Sequence, residues 1–170
     1  MLIRKIMEDW ATYYLSKYFP QFNRPDKSRF SDFFEELSKQ ENPNNNEKII
    51  KSLDINISNI LLGKDKRSSL IIKGFPSEMR ENDILSMLKK FTNNINFFYI
   101  PPLIKEQKRY MYAFVNLSNY KSIIPLYFGL INLRDKGKSI FGYDLKEIEL
   151  YYSKAQGLKT LIKKCRENKE

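Results

Sequence analysis

From residue 69 onward the hydrophobic period keeps switching between two and about 3.6, and this alternation restricts the fold more than any other feature of the chain. Residues 69–75, SLIIKGF, read as a short strand stopped by Gly74 and Pro76. A helix follows, with Ile84, Leu85, Leu88 and Phe91 on one face. Residues 96–100, NFFYI, read as a second strand closed by Pro101 and Pro102, and residues 104–109, IKEQKR, as a basic loop. Residues 110–117, YMYAFVNL, make a third strand. A second helix carries Ile123, Ile124, Leu126, Tyr127 and Leu130, and Pro125 is tolerated in its first turn because a first-turn N–H has no partner in the helix. The loop LRDKGKSIFGYD leads to a last strand at 147–152, EIELYY. This order predicts an α+β domain of the ferredoxin-like βαββαβ type: a four-stranded antiparallel sheet with both helices on one face and the other face open.

Alternation assigns the faces, because successive side chains of a strand point to opposite sides. In the third strand Met111, Ala113, Val115 and Leu117 face the helices, leaving Tyr110, Tyr112, Phe114 and Asn116 on the open side. In the first strand Leu70 and Ile72 point inward, and Ile71 and Lys73 outward. In the last strand Ile148, Leu150 and Tyr152 point inward, which puts Glu147, Glu149 and Tyr151 outward. For the second strand, Phe97 with Tyr99 and Phe98 alone are equally acceptable outward sets. An open sheet face with neighbouring rings and a lysine is costly in water unless something stacks on it. Nucleobases do this well, at roughly 1–3 kcal/mol for each stacked base. The two glutamates oppose phosphate, although a carboxylate can accept from a cytosine amino group.

Residues 1–65 read differently. Ile3, Ile6, Met7, Trp10, Tyr14 and Tyr18 fall on one helical stripe that Pro20 ends. Phe30, Phe33, Phe34 and Leu37 form a second stripe, with Asp26 or Ser28 available as its cap. The stretch ENPNNNE at 41–47 is a loop by composition. Ile49, Ile50, Leu53, Ile57, Ile60 and Leu61 form a third stripe, with Gly63 at its natural stop. Such stripes are usually core. If this part holds a partner, Trp10, Tyr13 and Tyr14 are the expected contact. The polar run KDKRSS at 64–69 is read as a joint, giving a helical extension at 1–65, the sheet domain at 66–157 and a basic C-terminal helix at 158–170.

Charge separates the same two parts. The chain carries 30 Lys and Arg against 20 Asp and Glu, a formal charge of +10. Ten of each sign fall within residues 1–65, so 66–170 holds twenty basic and ten acidic residues and the whole excess. A basic domain beside a neutral one suits a polyanion. With no His and one Cys, Cys165, the chain cannot build a Cys/His zinc site, a histidine-dependent nucleophile or a disulfide within itself. The six glycines form no GxGxxG, and no paired nucleophile and base or clustered metal-binding carboxylates are visible, so no enzyme and no cofactor are expected. The N-terminus reads as a helix start and not as a secretory signal, and no apolar run is long enough to span a membrane. The lone thiol fits a reducing, intracellular setting, with the nucleus ahead of the cytoplasm.

Five short strings then carry a family likeness: IIKGFP at 71–76, FFYIP at 97–101, YAFVN at 112–116, IIPLY at 123–127 and YSKAQG at 152–157. With the strand order, they make residues 68–167 resemble an RNA recognition motif, closest to the C-terminal motif of the Mei2-like family of meiotic regulators. The resemblance implies RNA binding without catalysis. It places the two stacking positions of the third strand on Tyr112 and Phe114, and that of the first strand on Ile71, which is not aromatic. Tyr110 stands where a base is usual, with Arg109 just before it, and Met111 where a glycine is usual.

The expectation is single-stranded RNA lying across Tyr112 and Phe114, within a ribonucleoprotein. Lys73, Arg109 and Lys154 would contact backbone or base edges, supported by Lys108, Tyr110 and the basic helix. That helix, LKTLIKKCREN at 158–168, has an apolar edge of Leu158, Leu161, Ile162 and Cys165. It can dock by this edge, flank the phosphates, or lie over the sheet as a lid. The alternative reading is a protein-interaction or assembly subunit whose sheet face or N-terminal helices bind a protein.

Overall fold

The computed structural model describes residues 52–102, 109–137 and 141–167. The chain divides between Lys51 and Ser52, and all described residues lie in the unit Ser52–Glu170. The elements are α1 (Ile57–Leu61), β1 (Ser69–Pro76), α2 (Glu81–Lys89), β2 (Ile95–Tyr99), β3 (Tyr110–Leu117), a 3-10 turn (Tyr120–Ser122), α3 (Ile123–Lys136), β4 (Glu149–Tyr152) and α4 (Leu158–Glu167). The four strands order as β2-β3-β1-β4, every neighbouring pair antiparallel. With the crossing helices α2 and α3, this is the ferredoxin-like βαββαβ arrangement expected from the sequence.

Local chemistry explains the elements. β1 alternates Leu70 and Ile72, both fully buried, with half-buried Ile71 and exposed Lys73. Helix α2 begins with Glu81 and Asp83 in its first turn and ends on Lys89, charges that suit the two ends of the helix dipole. Its Ile84, Met87 and Leu88 are fully buried. In α3, Pro125 is the third residue, where no intrahelical N–H bond is lost. The main core lies between sheet and helices, where Ala113, Val115 and Leu117 of β3 join Ile124, Leu126 and Leu130 of α3. β1 bulges between Lys73 and Phe75, and Gly74 takes a φ of +92° there. A Cβ on Gly74 would stand 1.9 Å from the Glu147 carbonyl oxygen, so only glycine lets the chain before β4 cross this closely.

Residues 52–65, grouped by sequence with the helical extension, pack within the sheet's unit. The third apolar stripe is not one helix. Asn56, itself extended, caps α1 by accepting from the Asn59 N–H, and residues 52–55 before it are not helical. Leu53 therefore lies beside β4, where its carbonyl accepts from the Tyr152 N–H at 2.8 Å and Asp54 bridges Tyr151. Ile49 and Ile50 fall outside the described residues, as do the stripes before them.

The polar run at 64–69 is likewise built into the fold. Asp65 is only 6% exposed and receives two bonds from Arg67, Nε to Oδ1 at 3.0 Å and Nη2 to Oδ2 at 2.7 Å. The third guanidinium nitrogen, Nη1, donates to the Ser52 carbonyl at 2.8 Å. Its flat face lies 3.9 Å from the centroid of the fully buried Tyr152 ring. Burial, with the Asp65 charge behind it, raises the Tyr152 phenol well above its usual range.

The sign of the resulting pH effect follows from linkage. Above about pH 10 an unfolded chain releases this proton while the folded chain keeps it, so stability falls by about 1.4 kcal/mol per pH unit. Urea unfolding across the alkaline range should show a steeper decline for the parent than for Tyr152→Phe. Equal slopes would remove Tyr152 as the cause.

Candidate nucleic-acid interface

The face of the sheet away from α2 and α3 is organised in cross-strand rows. Tyr99, Phe114, Ile71 and Tyr151 follow one another from β2 through β3 and β1 to β4. Tyr112, Lys73 and Glu149 form the next row. Phe97 and Tyr99 belong to this face, and Phe98, opposite Val115, belongs to the other. Glu147 precedes β4 and is not part of the strand.

This face is only half open. Helix α4 crosses its β2–β3 side, so that Phe114 and Cys165, each 4% exposed, and fully buried Leu161 form a second, small core. Ile71, Phe97, Tyr99, Tyr112 and Ala155 pack around it. The apolar edge of α4 is thus spent on the sheet, at roughly 1.5–3 kcal/mol for a side chain such as Leu161. Lys164 of α4 adds an ammonium 5.1 Å from the Phe114 ring centroid. The expectation of two uncovered rings therefore needs correction. Phe114 is covered by the chain's own helix, while Tyr112 is half-buried and meets Phe114 edge to face at 5.6 Å.

The segment 153–157 directs the helix there. The Gln156 Oε1 accepts from the N–H groups of Ser68 at 3.2 Å and Ser69 at 3.1 Å. Its Nε2 donates to the carbonyls of Ser69 and Ser153, both at 2.8 Å. One side-chain amide thus continues the β1–β4 ladder past Tyr152. Gly157 follows with a φ of +89°, a turn that side chains other than glycine resist. Its N–H donates to the Ser69 hydroxyl at 3.0 Å. Ser69 in turn donates to Asn116 Oδ1 at 2.7 Å, and Asn116 Nδ2 to Asn96 Oδ1 at 2.8 Å. Asn116 is therefore a buried structural group and does not face solvent.

What stays open is the β1–β4 side. A cleft of about 480 Å³ lies there, floored by Ile71 and Tyr151 and walled by residues 53–54 and by α4. Lys73, Lys154 and Lys164, from β1, the turn after β4 and α4, all line it. Asp54 is the acidic group among its lining residues. The Lys73 Nζ lies 5.5 Å from the Tyr151 ring centroid. The Tyr151 hydroxyl donates to Glu149 Oε2 at 3.2 Å, which raises its pKa and occupies the carboxylate.

Of the residues proposed from sequence, Ile71, Lys73 and Lys154 meet in this cleft, and Phe114 contributes to its wall. Tyr110, 38% exposed, and exposed Arg109 lie at the start of β3, with the guanidinium 5.8 Å from the ring. Lys108, Trp10, Tyr13 and Tyr14 fall outside the described residues. Sequence reasoning did not select Tyr151, Lys164 or Asp54. Tyr151 could have been found, since its outward position opposite Ile71 follows from alternation. Among the described residues no cluster of His, Cys, Asp or Glu could hold a metal, and no helix is long and apolar enough to cross a membrane.

No protein-family model matches the chain. MEI2-like 5 of Arabidopsis thaliana is 29% identical over 142 residues, covering 79% of this chain and 17% of the relative. MEI2-like 3 of the same plant is 30% identical over 128 residues, covering 74% and 16%. The chain thus spans less than a fifth of the length of the relatives it matches. A solved structure described as Pes4 RRM3 is 16% identical, covers 54% of this chain and 96% of its own, and superposes with a TM-score of 0.31.

Proposed function

We propose that this RNA recognition motif domain, whose sequence relatives are Mei2-like proteins, binds single-stranded RNA on its sheet face and serves within a ribonucleoprotein. The observation that carries the reading is the convergence of Lys73, Lys154 and Lys164 on sheet positions that also hold Tyr151 and Ile71. Ammonium groups neutralise phosphates, and a flat ring beside a branched apolar side chain accepts a base. Tyr110, Tyr112 and Arg109 extend the contact toward β3, and Lys108, together with the remaining basic side chains of α4, adds long-range attraction. The excess of positive charge in residues 66–170 favours the same partner.

The test is a fluorescence anisotropy titration of the full chain with labelled single-stranded RNA of about ten nucleotides. Binding should weaken about tenfold between roughly 50 and 200 mM salt, as expected for two or three neutralised phosphates. Tyr112→Ala should weaken it by roughly 1 kcal/mol, the low end for a stacking ring, because this ring is half covered. Absence of binding at low salt would sink the reading.

The burial of Phe114 under α4 favours a second reading, an assembly subunit whose sheet is engaged by protein. In that case RNA binding is weak, and a protein partner is retained through residues 1–62 with Trp10, Tyr13 and Tyr14.

A further inference from the structure

We infer that α4 is a fixed wall of the RNA site and not a lid over it, and that the cleft it forms with residues 53–54 holds a single nucleotide of the bound strand. This rests on the RNA-binding reading and moves the centre of the site from the β3 rings to the β1–β4 side.

Three observations carry it. First, α4 is held at both ends of its contact. Leu161 and Cys165 are buried against Phe114, and the Gln156 amide and Gly157 N–H fix the turn before the helix to Ser68 and Ser69. Lifting α4 would expose the three buried side chains, and the turn before it is tied through the Gly157 N–H to Ser69, which itself bonds Asn116 and through it Asn96. Second, α4 is chemically part of the cleft, since its Lys164 lines the space together with Lys73 and Lys154. Undocking the helix would remove one of three cations from the place where phosphate is neutralised. Third, the cleft has a volume of about 480 Å³ and is lined by residues 53–54 on one hand and by Lys164 of α4 on the other. That is within the roughly 300–1,000 Å³ range of small-ligand sites, room for one base with its sugar and phosphate. The base would lie on Tyr151 and Ile71, with the phosphate toward Lys154 and Lys164. Asp54, the acidic lining residue, leaves the cleft with a net positive charge.

The experiment uses the full chain and a fluorescein-labelled, randomised single-stranded RNA of about ten nucleotides in an anisotropy titration. If the parent binds none, the underlying RNA reading fails and this inference with it. If the parent binds, Tyr151→Ala should weaken binding about tenfold, as should Lys154→Gln combined with Lys164→Gln. Unchanged affinity in both leaves RNA binding intact and overturns the cleft. The wall is tested by Leu161→Asp, which places a charge in the small core and undocks α4. Cys165 reports the undocking independently, because its buried thiol becomes reactive toward an aromatic disulfide reagent. A fixed wall predicts faster thiol labelling with RNA binding weakened about tenfold. Faster labelling with tighter binding would identify α4 as a lid. Should Leu161→Asp fail to fold, Lys164→Gln alone decides, since a lid predicts no loss from it and a wall predicts a severalfold loss.

Discussion

Arg67→Ala is expected to lower the stability of the folded domain by about 3 kcal/mol, near the lower bound for breaking a buried ion pair. The guanidinium makes two bonds to Asp65, one to the Ser52 carbonyl, and a stack on the Tyr152 ring. Its loss leaves a carboxylate that is 6% exposed without its cation, which costs more than the pair contributes when intact. Thermal unfolding should drop by roughly 10 °C for a domain of this size. The double variant Asp65→Ala with Arg67→Ala should recover a large part of that loss, because it removes the stranded charge as well. A double variant as unstable as the sum of the two single ones would show that the pair is not coupled. Arg67→Lys should recover little, because an ammonium cannot bond Asp65 in a fork, reach Ser52 and lie flat on a ring together.

Gln156→Ala is expected to cost roughly 2–3 kcal/mol and to loosen α4 at the same time. Alanine abandons four bonds of 2.8–3.2 Å and leaves the N–H of fully buried Ser69 without its acceptor, while the Ser69 carbonyl keeps the Ser153 N–H. Two measurements separate local from global effects. Chemical denaturation gives the stability change, and the labelling rate of Cys165 under native conditions gives the opening of the helix. Labelling should quicken by more than the change in global stability explains, because local opening proceeds without unfolding the main core. If labelling tracks global unfolding alone, the amide is not the latch of the helix. The loss exceeds that of a typical surface substitution, although Gln156 looks from sequence like one more polar residue in a turn.

The fold was legible where apolar and polar residues alternate with contrast. YMYAFVNL has small or apolar residues at every second place, so the faces of β3 follow from the string itself. β2 offered no such contrast, since Phe97, Phe98 and Tyr99 are all aromatic. Its faces are set by register, with Phe97 opposite Asn116 and Tyr99 opposite Phe114, after an irregularity between Ile95 and Phe97. Pairing partners lie far away in the chain, and no local pattern names them. The charged run at 64–69 misled for a related reason. A paired, buried Asp and Arg have the same composition as a solvated joint, and only the presence of Tyr152 and Ser52 around them reveals the difference. The stripe ending at Leu61 kept its period through Leu53 by coincidence, because Asn56 starts a new helix in the middle of it.

The site was legible in part for the same reason. Outward Ile71, Lys73, Tyr112 and Phe114 could be read from strand periodicity. The docking of α4 could not, because an amphipathic edge states that a helix must cover something without saying what. Two halves of one sheet face, of equal status in the sequence, thereby acquire different roles, the β2–β3 end as packing and the β1–β4 end as the accessible surface.

The short edge made by residues 52–54 has a practical meaning for anyone dissecting this chain. A fragment begun at residue 66, the boundary that the sequence suggests for the sheet domain, would strip the Leu53 carbonyl from Tyr152, the Asp54 bridge from Tyr151 and Asp65 from Arg67. The result is a bare, hydrogen-bonding border on β4, the kind of template along which separate molecules join and precipitate. Begun at Ser52, the same domain keeps that border sealed, so insolubility of the shorter piece would report a truncation in the wrong place and not an inability to fold.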